Sequence, residues 1–273
     1  MENLTGNFSE ILPGLELSGV INIIGALGLA SLRIGSFFLA SPLFGYRIFP
    51  LQVRIIISFA ISFLVYDKIV LPNILELAGF KLFVVIFIEL IIGITSGLIL
   101  RILFSSAELA GEKIAASTGL GFAGLIDPES GAQTPVLSQI FSLFMIITFL
   151  SLNGHLLVIS VLLESYKVFP ISFVGINFNI FKIAIDAGGL MFKFGALIML
   201  PVVVGITLLN VIIGVVTRSA PSLNLFSFGF PITMISTFFL LYLCSVTISG
   251  NLGHVTEVAI DYIVRLIEGL TNV

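Results

Sequence analysis

Five charged side chains stand inside long apolar runs: Arg33, Glu89, Arg101, Asp186 and Lys193. Charge at membrane depth is costly, and it usually marks a pair, an ion path or a proton relay. Glu89, Gly93, Gly97, Arg101 and Ser105 recur at four-residue spacing, a row that drifts slowly around a helix. The two glycines in that row permit close helix approach. Glu89 and Arg101 lie too far apart along it to pair with each other. Each therefore needs a partner on a neighbouring helix, of this chain or another. Asp186 and Lys193 share one helical face two turns apart, and Arg33 stands alone in its run. Structural pairing between packed helices is the simpler account of these charges; ion coupling is the alternative.

Other chemistry finds little support. Gly119, Gly121 and Gly124 spell G-x-G-x-x-G, the dinucleotide fingerprint. That fingerprint needs a preceding strand and an acidic residue about 20 positions further on. Here a helical run precedes it, and no Asp or Glu falls between Glu129 and Glu164. His155 and His254 are far apart, with no Cys or acid at ligand spacing beside His155, so no metal site is expected. No nucleophile stands with a base. The chain is expected to be no enzyme and to carry no cofactor.

Composition explains why. The chain is 58% hydrophobic and 10% charged, with a mean hydropathy of +1.21. Soluble domains carry about 25% charged residues, so this chain lacks the charge to solvate a surface. At least five windows are long enough to cross a bilayer, given that about 20 apolar residues suffice. A net charge of −3 without any basic run leaves no footprint for nucleic acid. The start of the chain carries Glu2, Glu10 and Glu16 but no Lys or Arg. A signal peptide needs a positive start, so the first apolar segment is expected to stay. Cys244, the one cysteine, reads as a packing residue in an apolar run.

The apolar segments expected are Val20 to Phe44, Arg54 to Val65, Phe80 to Phe104, Val136 to Tyr166, Ile180 to Val216 and Leu225 to Ile248. The third should continue as one helix through the polar Ser105 to Ala116 as far as Ser117. Asn153-Gly154-His155 punctuates the fourth, and Pro201 falls inside the fifth. The tail from Leu252 to Leu270 is amphipathic, with His254, Glu257, Asp261, Arg265 and Glu268 opposite Val255, Val258, Tyr262 and Leu266. With these spans, Lys and Arg divide five against five between the two sides, so the positive-inside rule selects no orientation. A chain this apolar could keep its helices inside an assembly.

The least helical stretch runs from Gly119 to Pro128. Backbone without helical pairing cannot face lipid, so it must be buried, line an aqueous path or lie outside the membrane. Between its glycines stand Leu120, Phe122, Ala123, Leu125 and Ile126. Apolar groups constrict a pore by dewetting it. On the residues alone a connecting loop is favoured over such a gate, and both stay open.

The run Gly119 to Gln139, GLGFAGLIDPESGAQTPVLSQ, resembles the FliR family of flagellar export-gate proteins. Three further stretches agree in order: Ser41-Pro42-Leu43-Phe44-Gly45 with Pro50 and Arg54, then Leu152-Asn153-Gly154-His155-Leu156, then Pro201 through Pro231. The last includes Asn210, Gly214, Thr217-Arg218, Ala220-Pro221, Asn224, Phe226 and Gly229-Phe230-Pro231. The resemblance implies an all-α membrane protein of long helices and hairpins packed in a hetero-oligomeric spiral. Residues 1–179 would be a FliP-like region including a glycine-rich loop, 119–134. Residues 180–248 would be a FliQ-like hairpin and 249–273 an amphipathic helix.

Implied partners are FliP-like and FliQ-like membrane proteins, FlhB-like and FlhA-like export proteins, and unfolded flagellar subunits in transit across the inner membrane. The implied channel plug is Gly119, Leu120, Gly121, Phe122, Ala123, Gly124, Leu125 and Ile126, which tips the balance towards a gate. Arg33, Glu89, Arg101, Asp186 and Lys193 would serve assembly. An injectisome homologue is the nearest alternative. A stand-alone transporter coupling ions through Glu89, Arg101, Asp186 and Lys193 is the next, although it lacks the inverted repeat such proteins often show.

Overall fold

In a computed structural model of the chain, the structure describes residues 17–45, 50–64, 77, 79–119, 136–171, 179–219 and 228–269. All regular structure among these is helical. The helices are α1 Leu17–Ala40, α2 Leu51–Leu64, α3 Phe80–Thr118, α4 Val136–Ser151, α5 Gly154–Val168, α6 Asn179–Ser219, α7 Phe230–Leu243 and α8 Ser245–Gly269. An all-α membrane fold follows from chemistry, since a helix pairs its own amides and carbonyls where no water can.

Gly19–Ala40, Phe80–Thr118 and Ile180–Ser219 are each long and apolar enough to cross a bilayer. Two bent pairs, α4 with α5 at 67° and α7 with α8 at 63°, raise the count to five among the described residues. The helix α3 does run unbroken through Ser105 to Ala116, 39 residues in all. At about 1.5 Å per residue it is roughly 60 Å long, and so is α6, against a hydrocarbon core of about 30 Å.

Two boundaries differ from expectation. The fourth apolar segment is two helices, because Asn153 takes a left-handed φ of 54°. Its carbonyl then accepts from the amides of Leu156 and Leu157 at 3.0 and 3.1 Å, starting α5 on a new axis. Gly154 lies against the Phe149 ring, where no side chain would fit. The last apolar segment stops at Leu243 and not at Ile248, and α8 starts at Ser245. The buried stripe of α8 begins at Ile248 and continues through Leu252, Val255, Ala259, Ile263 and Leu266. A helix carrying that stripe must lie along the protein, so it cannot continue the axis of the all-round apolar α7. Val258 and Tyr262 flank the stripe, half-buried, while Glu257, Asp261, Arg265 and Glu268 are exposed as expected.

The chain forms two compact units, Met1–Arg101 with Val158–Ala184 and Tyr262–Val273, and Ile102–Leu157 with Ile185–Asp261. In the first, small residues set the spacing. Gly35 faces Ser58, whose Oγ would lie 3.3 Å from an added methyl. Gly93 rests on the α1 backbone at Arg33 and Phe37, and a methyl on Gly97 would meet Ala40 Cβ at 2.7 Å. The Gly93-x-x-x-Gly97 row thus marks a close crossing of α3 with α1.

In the second unit Gly111 plays the same part. A methyl there would lie 2.7 Å from Ser138 Cα on α4. Phe104 and Phe149 stack edge to face at 5.1 Å between their centroids. The two arms α6 and α7 run side by side, with Gly205 against the Leu240 side chain. Leu209, Ile213 and Val216 line one apolar cleft with Phe228 and Ile232 nearer the Ser219 end of α6. Arg218 and Ser219 close α6, whereas Ala220 and Pro221 lie outside the described residues.

Pro201 does not break α6. Proline at this position has no amide for the carbonyl four residues earlier, which is that of Leu197. Asn251 Nδ2, on α8, donates to Leu197 O at 3.2 Å. The side chain replaces the missing amide and ties α8 to the proline site. Asn251→Ala should therefore cost about 1 kcal/mol of unfolding stability in detergent. In a Pro201→Ala background, where the helix repairs itself, the same change should be close to neutral. Equal losses in both backgrounds would show that Asn251 acts otherwise.

Candidate functional site

Arg33 and Glu89 come together. Both are fully buried, on α1 and α3 of the first unit. Arg33 Nε donates to Glu89 Oε2 at 2.7 Å and Nη2 donates to Oε1 at 2.8 Å, a two-pronged pair. Nη1 donates to Ser165 Oγ at 2.8 Å, and Nη2 also donates to the carbonyl of Phe169 at 3.0 Å. The Ser165 hydroxyl in turn donates to Leu162 O. The guanidinium lies over the Tyr166 ring, 4.1 Å from its centroid, and Tyr166 Oη donates to Ala30 O at 2.6 Å.

One arginine therefore uses four of its five N–H groups and joins α1, α3 and the end of α5. Of the two expected kinds of partner, Glu89 finds the one inside this chain: Arg33, the single charge of its own apolar run, 56 positions away in sequence. A carboxylate held at both oxygens by an arginine is suited to fixing helices, and poorly suited to exchanging a proton or ion. The transporter alternative loses Glu89 as a coupling group.

The other charges lie elsewhere. Arg101 is exposed on α3 and has partners of its own. Asp186 and Lys193 are exposed on α6 and form no ion pair with any described residue. Sequence reasoning missed Ser165, Tyr166 and Phe169. A tyrosine and a serine near the end of an apolar run were the available signal, and a backbone carbonyl leaves none. It also missed Ser138 and Ser142, which donate to the carbonyl and to Oε1 of Glu108, both at 2.8 Å, seating α4 on the polar half of α3. No cluster that could hold a metal ion occurs among the described residues.

Of the expected plug residues, Gly119 is described, and Leu120, Gly121, Phe122, Ala123, Gly124, Leu125 and Ile126 lie outside the described residues. Gly119 ends α3 with φ at +82°, a conformation that favours glycine. The Phe230 ring of α7 packs on it, so a methyl there would meet Cε1 at 2.5 Å.

A profile of the family described as bacterial export proteins, family 1, matches residues 24–258. The flagellar biosynthetic protein FliR of Escherichia coli K12 is 31% identical over 74% of this chain and 77% of its own length. The FliR of Bacillus subtilis 168 is 28% identical over 90% of this chain and 95% of its own. The chain belongs to the FliR family of bacterial export proteins. A more distant relation also appears: the surface presentation of antigens protein SpaR of Shigella flexneri, 28% identical over 78% of this chain and 85% of its own.

Within this FliR-family chain the buried pair generates a clear expectation. Removing one partner of a buried pair leaves an uncompensated charge and costs about 3–5 kcal/mol, whereas replacing both with apolar residues is often neutral. Glu89→Gln should therefore lower the yield of monodisperse protein in detergent and its unfolding midpoint. Arg33→Met combined with Glu89→Leu should recover most of that loss. A double variant no better than Glu89→Gln would mean that the Ser165 and Phe169 contacts of Arg33, and not the pairing, hold the unit.

Proposed function

We propose that this chain is a core component of the flagellar type III export gate. In this reading it forms part of the channel that passes unfolded flagellar subunits across the bacterial inner membrane. It would pack in a spiral with FliP-like and FliQ-like membrane proteins, served by FlhB-like and FlhA-like export proteins. Membership of the FliR family supports the export role. The assembly is supported chiefly by α6. Its apolar window is only 17% buried within the chain, against 56% for Gly19–Ala40 and 50% for Phe80–Thr118.

A helix this apolar and this bare must be covered by lipid or by other subunits, and it is about twice as long as the hydrocarbon is thick. Asp186 and Lys193 lie exposed on it. Ionised groups at membrane depth call for partners or water, so lipid is a poor neighbour for that stretch. A polar lumen or a subunit with matching charges suits it. An apolar cleft of about 420 Å³, lined by Phe141, Phe144, Phe238 and Leu252 among others, offers a second surface for packing. The residues 180–248 would then be the FliQ-like hairpin, and the segment from Gly119 to Ile126 the plug. The flagellar reading is preferred to the injectisome one because the Escherichia coli FliR is 31% identical and the Bacillus subtilis FliR matches over 90% of this chain at the 28% identity that SpaR reaches over 78%.

Affinity purification of the full chain in mild detergent tests the class. FliP- and FliQ-like proteins should co-purify, and recovery of the chain alone from a flagellated strain would sink the proposal. Asp186→Ala and Lys193→Ala should lower the amount of complex recovered more than the channel properties of complex that does form. Normal assembly with abolished proton-driven export would point to ion coupling instead.

A further inference from the structure

A helix leaves its last four carbonyls without intrahelical partners. At the end of α3 all four are met. Ala115 O accepts from Thr118 Oγ1 at 2.8 Å, and Ala116 O accepts from the amide of Gly119 at 3.3 Å. The remaining two are met from other helices. Asn210 Nδ2 of α6 donates to Ser117 O at 3.2 Å. Thr233 Oγ1 of α7, buried, lies 3.2 Å from Thr118 O and shares its proton with Phe230 O at 2.9 Å. The Phe230 ring covers Gly119. Both arms of the α6–α7 hairpin thus converge on the last turn of α3, just where the chain enters its glycine-rich stretch.

The physical consequence is a coupling. Caps normally come from residues next to the helix end, and such caps travel with the helix. Here the described donors to Ser117 O and Thr118 O come from helices far away in sequence. If the hairpin shifts relative to α3, both carbonyls lose these donors together and the ring leaves Gly119. With φ at +82° and no side chain, Gly119 can follow a new path once that ring withdraws. The pairing of the last turn of α3 then depends on hairpin position.

We propose that Asn210, Phe230 and Thr233 form a latch on the end of α3, and that its release carries a displacement of the hairpin into the segment following Gly119. The residues are positioning groups and touch no substrate. The consequence for the channel rests on the plug reading given above; the latch itself rests on the contacts alone.

The test uses the full chain in its co-purified complex, reconstituted in lipid. Asn210→Leu and Thr233→Val each remove one donor with little change of size, and Thr233→Ser keeps the hydroxyl. Amide hydrogen exchange at Ser117 to Gly119 reads the latch directly, because it reports local opening. Each lost hydrogen bond should speed that exchange by about fivefold, with Thr233→Ser at the parental rate. Passive ion conductance should rise severalfold in the same variants. Parental exchange in Asn210→Leu and Thr233→Val overturns the latch. Faster exchange with parental conductance overturns the transmission step if deletion of Gly119 to Gly124 does raise conductance. If that deletion too leaves conductance unchanged, the plug reading falls, while the faster exchange still upholds the latch.

Discussion

A carbonyl or charge that loses its partner in an apolar environment has no water to turn to, and the described structure is organised around that constraint. At three places among the described residues where regular helical pairing fails, a side chain from another helix supplies the donor. Pro201 strips Leu197 O, and Asn251 donates to it. The end of α3 leaves Ser117 O and Thr118 O, and Asn210 and Thr233 approach them. The end of α5 leaves Phe169 O, and Arg33 donates to it while holding Glu89. Amide, hydroxyl and guanidinium donors act alike here. Each converts a local defect into a tertiary contact, because the defect would cost several kcal/mol if left unpaired. Helix breaks and helix docking are therefore the same feature seen from two sides.

The same constraint sorts the charges. Arg33 and Glu89 neutralise each other inside one unit and ask nothing of the surroundings. Asp186 and Lys193 are left exposed on the helix that the chain covers least. They form no ion pair with any described residue, so whatever lies against α6 must tolerate or match them. Length adds to this: α3 and α6, each about twice the hydrocarbon thickness, cannot both be ordinary lipid-facing spans along their whole extent. In the proposed assembly, subunits on the flank of α6 would resolve both difficulties at once.

Much of this was legible in the sequence, and the part that was not has a physical reason. Helical class, the unbroken α3 and the polar face of α8 follow from periodicity, which is local. The close crossing at Gly93 and Gly97 was legible because small residues four apart have few other uses on a long apolar helix. The Arg33–Glu89 pair was not, since two lone charges on different segments look the same whether they meet or not. The bend at Asn153 was visible as punctuation, and its 67° was not, because the left-handed φ of Asn153 and the close seat of Gly154 on Phe149 leave no mark in the spacing of residues. The break at Cys244 was hidden by apolarity on both sides. Only the stripe starting at Ile248 reveals that α8 must turn.

Asn210 and Phe230 show how family resemblance and geometry divide the labour. Both fell among the residues that carry the likeness to FliR, yet nothing in their spacing says what they do. Asn210 sits mid-helix, where asparagine is a poor helix former, and Phe230 follows a glycine and precedes a proline. In the structure both point at one place, the exit of α3. A polar residue mid-helix that would otherwise weaken α6 is explained when its amide is the donor a distant carbonyl lacks. The glycine at the end of α3 is explained in the same way: a side chain there would have to displace the Phe230 ring. Local costs at Asn210 and Gly119 are thus offset at neighbouring contacts on one helix end, and a hairpin that bears both contacts is tied to the last turn of α3.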